Sequence, residues 1–297
     1  MIKDSGACDI CPRGCRADRR TGVGFCGVPE EMYVARAALH MWEEPPVSGT
    51  RGSGTVFFAG CNLRCVFCQN KKISRSPSGR VYTEKELADA VFRLRDEGAH
   101  NINLVTATHY TAAVARVLEK VKPRLDIPVV WNSGGYESAE TLGMLDGLVD
   151  VYLPDLKYYS PELSGRYSAA PDYFEVASRA IREMYRQTGE VSFAVEDGKE
   201  LIKKGVIVRH LLLPGCRRDS MRVVEELAGL LPTDKVRLSL MRQFTPDYVD
   251  KERYPELGRR VTTFEYESVV KRADELGFEG YVQGAESAVS AYTPDFE

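Results

Sequence analysis

All but one of the chain's eight cysteines stand in two groups, and their spacing is that of ligands rather than of disulfide partners. Cys61, Cys65 and Cys68 lie in GCNLRCVFCQN, with spacing C-x3-C-x2-C, directly after an apolar run. Thiolates are soft donors that suit zinc or iron–sulfur clusters. A structural zinc takes four protein ligands, so three cysteines leave it one short unless a distant residue completes the site. A cubane cluster can instead be held by three cysteines, with one iron left open for chemistry. The second group, Cys8, Cys11, Cys15 and Cys26, reads C-x2-C-x3-C-x10-C and offers a complete set of four. Its segment has too few large apolar residues to order itself, and a bound metal would supply the missing stability. Zinc and a second iron–sulfur cluster both suit these thiols. Three crowded cysteines with a remote fourth are closer to cluster ligation; Gly27, directly after Cys26, would also suit a zinc knuckle. Cys216, in LPGCRRD, stands alone and reads as a loop thiol, with a relay or substrate-contact role as the alternative.

These residues need elements to position them. The chain has 297 residues, 43% of them hydrophobic, and a net charge of -3. That is enough for a large core, and the charge balance points to neither nucleic acid nor a membrane surface. No run approaches the length of a membrane helix and the first residues lack a secretory apolar core, so a soluble cytoplasmic protein is expected. In a reducing cytosol, clustered cysteines read as metal ligands. Residues 1–50 are rich in Cys, Gly, Pro and Arg and form an expected metal-binding segment; residues 51–297 form the main domain. There, apolar strand-like runs at 55–60, 102–107, 128–133, 149–156, 206–213 and 236–241 alternate with helical patterns. The helix beginning near Thr83 carries a capping box with Glu86. Strict β-α alternation with little polar alternation implies a parallel sheet buried on both faces. A partial (β/α)6-type barrel is the expected fold. In barrels, chemistry gathers at the carboxyl ends of the strands. There the chain places the cysteine cluster and then THY, NSGG, PDLK, PG and RQF.

The C-x3-C-x2-C motif, with Phe67 before its last cysteine, resembles the signature of the radical S-adenosylmethionine (radical SAM) superfamily. GCNLRCVFCQN is especially similar to the activating enzymes of glycyl-radical enzymes, such as that of pyruvate formate-lyase. The resemblance spans residues 52–284 and is strongest over 55–70. It implies that Cys61, Cys65 and Cys68 hold a [4Fe-4S] cluster whose open iron binds S-adenosylmethionine. One electron then cleaves the cofactor to methionine and a 5′-deoxyadenosyl radical, which abstracts hydrogen from a substrate. By the same resemblance, Asp155 and Lys157 in DLK lie beside the cofactor, Arg209 in RHLLLPG contacts its carboxylate, and Asn132 and Ser133 lie near its ribose. Gln243 falls where those enzymes place a cofactor-contacting His. The family's Gly-Gly-Glu segment is replaced here by NLVTATHYT, where Thr106, Thr108 and His109 are the candidate polar contacts. This departure argues against a standard pyruvate formate-lyase activator. The four amino-terminal cysteines resemble those of an activating-enzyme-like branch of the superfamily. A flavodoxin- or ferredoxin-type reductant and a protein substrate are the implied partners. Activation of a glycyl-radical enzyme, peptide modification and small-molecule chemistry stay open as activities, as does a non-catalytic iron–sulfur carrier or scaffold.

Overall fold

The computed structural model of the chain describes residues 7–284 and Phe296. Its ten-stranded sheet runs in the order β10-β9-β8-β6-β5-β4-β2-β1-β3, with β7 paired to β8 off this path. The strands are β1 (Met32–His40), β2 (Ser53–Phe58), β3 (Arg80–Tyr82), β4 (Ile102–Val105), β5 (Val129–Ser133), β6 (Val151–Pro154), β7 (Ser192–Glu196), β8 (Lys199–Leu211), β9 (Arg237–Met241) and β10 (Gly280–Val282). From β2 through β10 the path pairs only parallel neighbours. The sheet curls into a partial barrel left open between β3 and β10. This is the expected parallel fold, and all the expected strand runs are present.

The helices are α1 (Pro45–Ser48), α2 (Lys71–Ser74), α3 (Glu84–Asp96), α4 (Thr111–Val121), α5 (Ala139–Leu142), α6 (Pro161–Ser168), α7 (Tyr173–Thr188), α8 (Arg217–Leu230) and α9 (Thr263–Glu275). Thr83 and Glu86 close the expected capping box on α3, and Thr262 with Glu265 forms a second on α9. The α7 helix stops at Gly189. The outer core lies between strands and helices, with Phe58, Leu104, Trp131, Tyr152, Val208 and Leu240 facing the helical layer. A smaller inner core of Val130, Val151, Leu153 and Ile207 fills the floor of the barrel, and Val47 of α1 plugs it from below. None of the helices among the described residues is long and apolar enough to cross a membrane.

The division at residue 50 needs correction. β1 pairs antiparallel with β2 along most of its length, and β3 pairs with β1. The strand from Met32 is therefore part of the barrel sheet, and only the segment before it lies outside the sheet. The hydrogen bonds of β2's outer edge need a partner, and β1 supplies it.

Candidate active site and amino-terminal cysteine site

β2 is buried throughout and delivers the chain to a tight turn at Gly60. Gly60 has φ 84°, and a Cβ there would stand 2.7 Å from Val28 and 3.0 Å from the carbonyl of Cys26. The cysteine loop follows. It is pinned by Arg64 N–H to Ser168 O (3.2 Å) and Val66 N–H to Tyr167 O (2.9 Å), and by Asn62 Nδ2 to Tyr136 O (2.6 Å). Cys61, Cys65 and Cys68 all line one cavity of about 230 Å³. The amide of Leu63 donates to Cys61 Sγ at 3.4 Å. Ser168 Oγ lies 3.0 Å from Cys65 Sγ and Ser74 Oγ lies 3.7 Å from Cys68 Sγ. Burial pushes the Cys61 thiol up to about 12, and the adjacent Cys65 adds to the shift; burial raises Cys68 too. Three thiolates in such a space need a cationic centre to hold them deprotonated.

Opposite the loop stand the ends of β5, β6 and β8. Lys157 Nζ donates to Asp155 Oδ2 at 2.5 Å. Arg209 donates through Nε to Asp155 Oδ1 (3.2 Å), through Nη2 to Asn132 Oδ1 (2.5 Å) and through Nη1 to Glu43 Oε2 (3.2 Å). Burial opposes the Arg209 cation, but the carboxylates of Asp155, Glu44 and Glu43 outweigh it and its pKa rises. Asp155 is likewise held below its ordinary value, burial being outweighed by Lys157 and Arg209. Asp155, Lys157, Arg209, Asn132, Ser133, Thr106 and Gln243 all line the same cavity as the three cysteines.

Glu43 was not foreseen. It lies between β1 and α1 and enters the barrel from below, accepting from Asn103 Nδ2 (2.9 Å) and Asn132 Nδ2 (3.1 Å) as well as from Arg209. Glu44 beside it is buried, with no partner for Oε2 among the described residues, and burial raises its carboxyl. The pair EEPP reads as a loop by composition; two adjacent carboxylates ahead of two prolines are its only local signal. Glu137 was also missed. Its buried carboxylate accepts from Trp131 Nε1 (2.8 Å), Ser133 Oγ (2.6 Å) and Thr108 Oγ1 (3.0 Å), which fixes the rim above β4 and β5.

Two expected cofactor contacts stand elsewhere. Thr108 spends its hydroxyl on Glu137 and is absent from the cavity wall. His109 points back under the cysteine loop, with Nε2 2.8 Å from Ala59 O, and is also absent from the wall. The 3-10 turn at Thr108–Tyr110 rotates both side chains away from the barrel mouth. Thr106 alone of the three faces the cavity, with φ 58°. A β-branched residue in the left-handed region is strained, and Thr106 sits directly after β4, in the place that the resemblance gives to a Gly-Gly-Glu segment. Cys216 borders a separate open cleft of about 850 Å³ with Tyr159, Arg217 and Glu265.

The amino-terminal cysteines gather on the other side of the cysteine loop. Cys8 and Ala17 close a small hairpin, with Cys8 N–H to Ala17 O and Arg16 N–H to Cys8 O both at 3.0 Å. Burial pushes Cys11 up to about 11, and Cys8, Cys26 and Cys15 each add to the shift, so the four thiols share one electrostatic neighbourhood. A Cβ on Gly24 would stand 3.3 Å from Cys15 Sγ and 3.5 Å from Cys26 Sγ, so its absence leaves room between those sulfurs. Cys26 is buried and Cys15 exposed. Among the described residues no three Cys, His, Asp or Glu side chains converge to hold a single ion. The fit to metal in both sets therefore rests on donor chemistry and on the space between the sulfurs. The segment is bolted down by arginines. Arg13 Nε donates to Asn62 O (2.7 Å) and its guanidinium lies 4.1 Å over the Phe25 ring. Buried Arg19 donates to His109 O at 2.6 Å and lies 5.2 Å over Tyr110.

The sheet is an open parallel barrel, and it carries three cysteines directly after its first parallel strand. Residues 55–231 match the radical SAM superfamily model, and the chain belongs to that superfamily. It is similar to the uncharacterized protein MJ0674 of Methanocaldococcus jannaschii, with 32% identity over 285 residues that cover 92% of this chain and 75% of that one. Among solved structures, a spore photoproduct lyase variant superposes with TM-score 0.52 at 13% identity, over 80% of this chain and 78% of the other. A pyruvate-formate lyase-activating enzyme domain from Bacteroides vulgatus aligns with TM-score 0.43 at 13% identity, covering 59% of this chain and 92% of that one. Membership implies a [4Fe-4S] cluster and S-adenosylmethionine.

Proposed function

We propose that the chain uses Cys61, Cys65 and Cys68 to hold the cluster and the wall opposite to hold S-adenosylmethionine, so that the radical formed there abstracts hydrogen from a substrate. The observation that carries this reading is the single cavity shared by the three cysteines, Asp155, Lys157, Arg209 and Asn132. When bound, the reduced cluster supplies the electron that breaks the cofactor's sulfonium bond. In this reading Asp155 receives the cofactor's ammonium, while Arg209 and Lys157 take its carboxylate. Asn132, Ser133, Thr106 and Gln243 complete the polar lining. One candidate substrate is a glycine of a partner glycyl-radical enzyme, because GCNLRCVFCQN resembles the activators of such enzymes; peptide and small-molecule substrates stay open, since NLVTATHYT departs from those activators. A ferredoxin- or flavodoxin-class donor supplies the electron.

The four amino-terminal cysteines hold one further metal centre. The support is the gathering of four thiols in a segment without a core of its own, around the space that Gly24 leaves.

The test of the site is spectroscopic. Adding S-adenosylmethionine to the reduced protein should change the electron paramagnetic resonance signal of the cluster. Replacement of Arg209 by Ala should remove that change while the iron content holds. An unchanged signal in the native chain contradicts the reading. Deuterated candidate substrates, protein or small molecule, then reveal themselves by deuterium in 5′-deoxyadenosine.

A further inference from the structure

We infer that the amino-terminal cysteine site is the port through which electrons reach the radical cluster, and that it therefore holds a redox-active iron–sulfur centre rather than zinc. This rests on the proposal that Cys8, Cys11, Cys15 and Cys26 bind one metal centre. The observation behind it is a joint between the two cysteine sets. The amide of Cys61 donates to the carbonyl of Cys26 at 3.2 Å. One residue from each set thus shares a hydrogen bond, and a through-bond path leaves one ligand and enters the other across that bond alone. The approach is enforced. Gly60 lets the chain turn within reach of Cys26 and Val28, where any Cβ would collide. Phe25, adjoining Cys26, is held between the guanidinium groups of Arg13 and Arg64, at 4.1 and 4.8 Å, and its carbonyl accepts from Arg64 Nη2 at 2.6 Å. Arg64 is itself in the radical-cluster loop, between Cys61 and Cys65.

The exposure of the four thiols runs the same way. Cys15 is exposed, Cys8 and Cys11 are partly covered, and Cys26 is buried against the loop. A reductant can therefore approach at Cys15 and leave its electron at Cys26, next to Cys61. Arg16, directly after Cys15, is exposed and suits an acidic electron-carrier protein, while Arg20 is ion-paired with Asp18 at 2.9 Å. The balance is one electron. A low-potential ferredoxin-class donor is oxidised by one electron, the amino-terminal centre takes it up and passes it on, and the radical cluster is reduced. No proton or bond is exchanged. An electron port kept apart from the barrel mouth also leaves that mouth free for cofactor and substrate.

The test uses the full chain, reconstituted anaerobically. Iron and zinc are first counted in the native chain and in a variant with Cys61, Cys65 and Cys68 all changed to Ala. Retained iron in that variant is expected. Zinc there overturns the relay but leaves the metal-centre proposal standing; neither metal overturns both. Next, the reduced native chain should show two paramagnetic clusters that broaden and relax one another. Two independent signals contradict the relay. Finally, reduced ferredoxin should reduce the radical cluster roughly tenfold more slowly in a Cys8→Ala, Cys11→Ala variant, read from the cluster's own signal rather than from turnover. Photoreduced deazaflavin, small enough to enter the barrel mouth, should reduce both proteins equally. That second arm also shows whether the variant's radical site is intact, and if it is not, the magnetic measurement on the native chain decides. Equal rates with ferredoxin overturn the inference.

Discussion

Arg209 shows how a single side chain is prepared for an anionic ligand. Its cation is buried, and three neighbours hold its donors in place: Asp155, Asn132 and Glu43. The Glu43–Arg209 pair has side chains only 9% and 13% exposed, so screening by water is weak. Removing Glu43 leaves Arg209 still paired with Asp155, so what is lost is a charge-assisted hydrogen bond. Glu43→Ala should therefore lower unfolding stability by about 1.5 kcal/mol, read as a shift of the denaturant midpoint at constant slope. A loss below about 1 kcal/mol would show that the pair is water-filled rather than dry. Arg209→Ala is expected to weaken S-adenosylmethionine binding by more than roughly tenfold, about 1.4 kcal/mol, with the iron content unaltered; equilibrium dialysis on the loaded protein checks it. Cys61, Cys65 and Cys68 stood out as a candidate ligand set because their spacing is itself the signal. Asp155, Lys157 and Arg209 were legible because a strand end names its own position. Glu43 was not, because its role depends on where a loop re-enters the barrel, and nothing local in MWEEPP encodes that.

At the scale of elements, the parallel strands were readable as apolar runs, and the helices as periodic stripes with capping boxes. β1, β3 and β7 were not. MYVARAALH alternates poorly, since the outer face of β1 is only half-buried, and its composition suits a helix equally well. The β7–β8 hairpin did carry a signal. Asp197-Gly198 has φ 49° and 73°, the conformation of a primed two-residue turn, and Asp-Gly is its preferred pair. The turn after β4 holds the strained Thr106. Thr106→Gly should relieve roughly 1 kcal/mol of left-handed strain, visible as a higher denaturant midpoint; a lower one would show that the threonine's contacts outweigh its backbone cost. The turn also buries His109, whose Nδ1 has no hydrogen-bond partner among the described residues, and β8 buries His210, whose Nε2 likewise has none there. Burial lowers their pKa values from 6.5 to about 3 and about 4. Both histidines are neutral in the fold, while the unfolded chain takes up their protons near pH 6.5. Their contribution is thus intact above pH 6.5 and is lost as pH falls toward 4 and then 3, at up to about 1.4 kcal/mol per pH unit for each. Melting temperature measured from pH 7 to pH 5 should fall, and His109→Gln should flatten the slope. A slope unchanged by the substitution contradicts this assignment.

For the whole molecule, the amino-terminal segment was expected to be an appendage with its own metal, and the described fold makes it part of the radical-cluster loop's support. Cys26, Phe25, Arg13 and Arg19 all meet residues of the barrel. The cysteine spacing pointed to a metal site in the segment but carried no sign of its docking, because long-range contacts such as Arg19 with His109 leave no periodic trace. Family membership follows from the match over residues 55–231, and what the chain acts on is the proposal that these contacts serve. The ends of β2, β4, β5, β6, β8 and β9 line one cavity in which three cysteines face Asp155, Lys157 and Arg209. The central claim is therefore that this cavity cleaves S-adenosylmethionine reductively, and one measurement reaches it directly. The reconstituted, reduced protein is incubated with S-adenosylmethionine, and 5′-deoxyadenosine is measured against the variant with Cys61, Cys65 and Cys68 changed to Ala. The native chain should form 5′-deoxyadenosine and methionine, and the variant none while its amino-terminal metal is retained. Equal 5′-deoxyadenosine from the two proteins, or none from the native chain with its cluster assembled and reduced, would contradict the account.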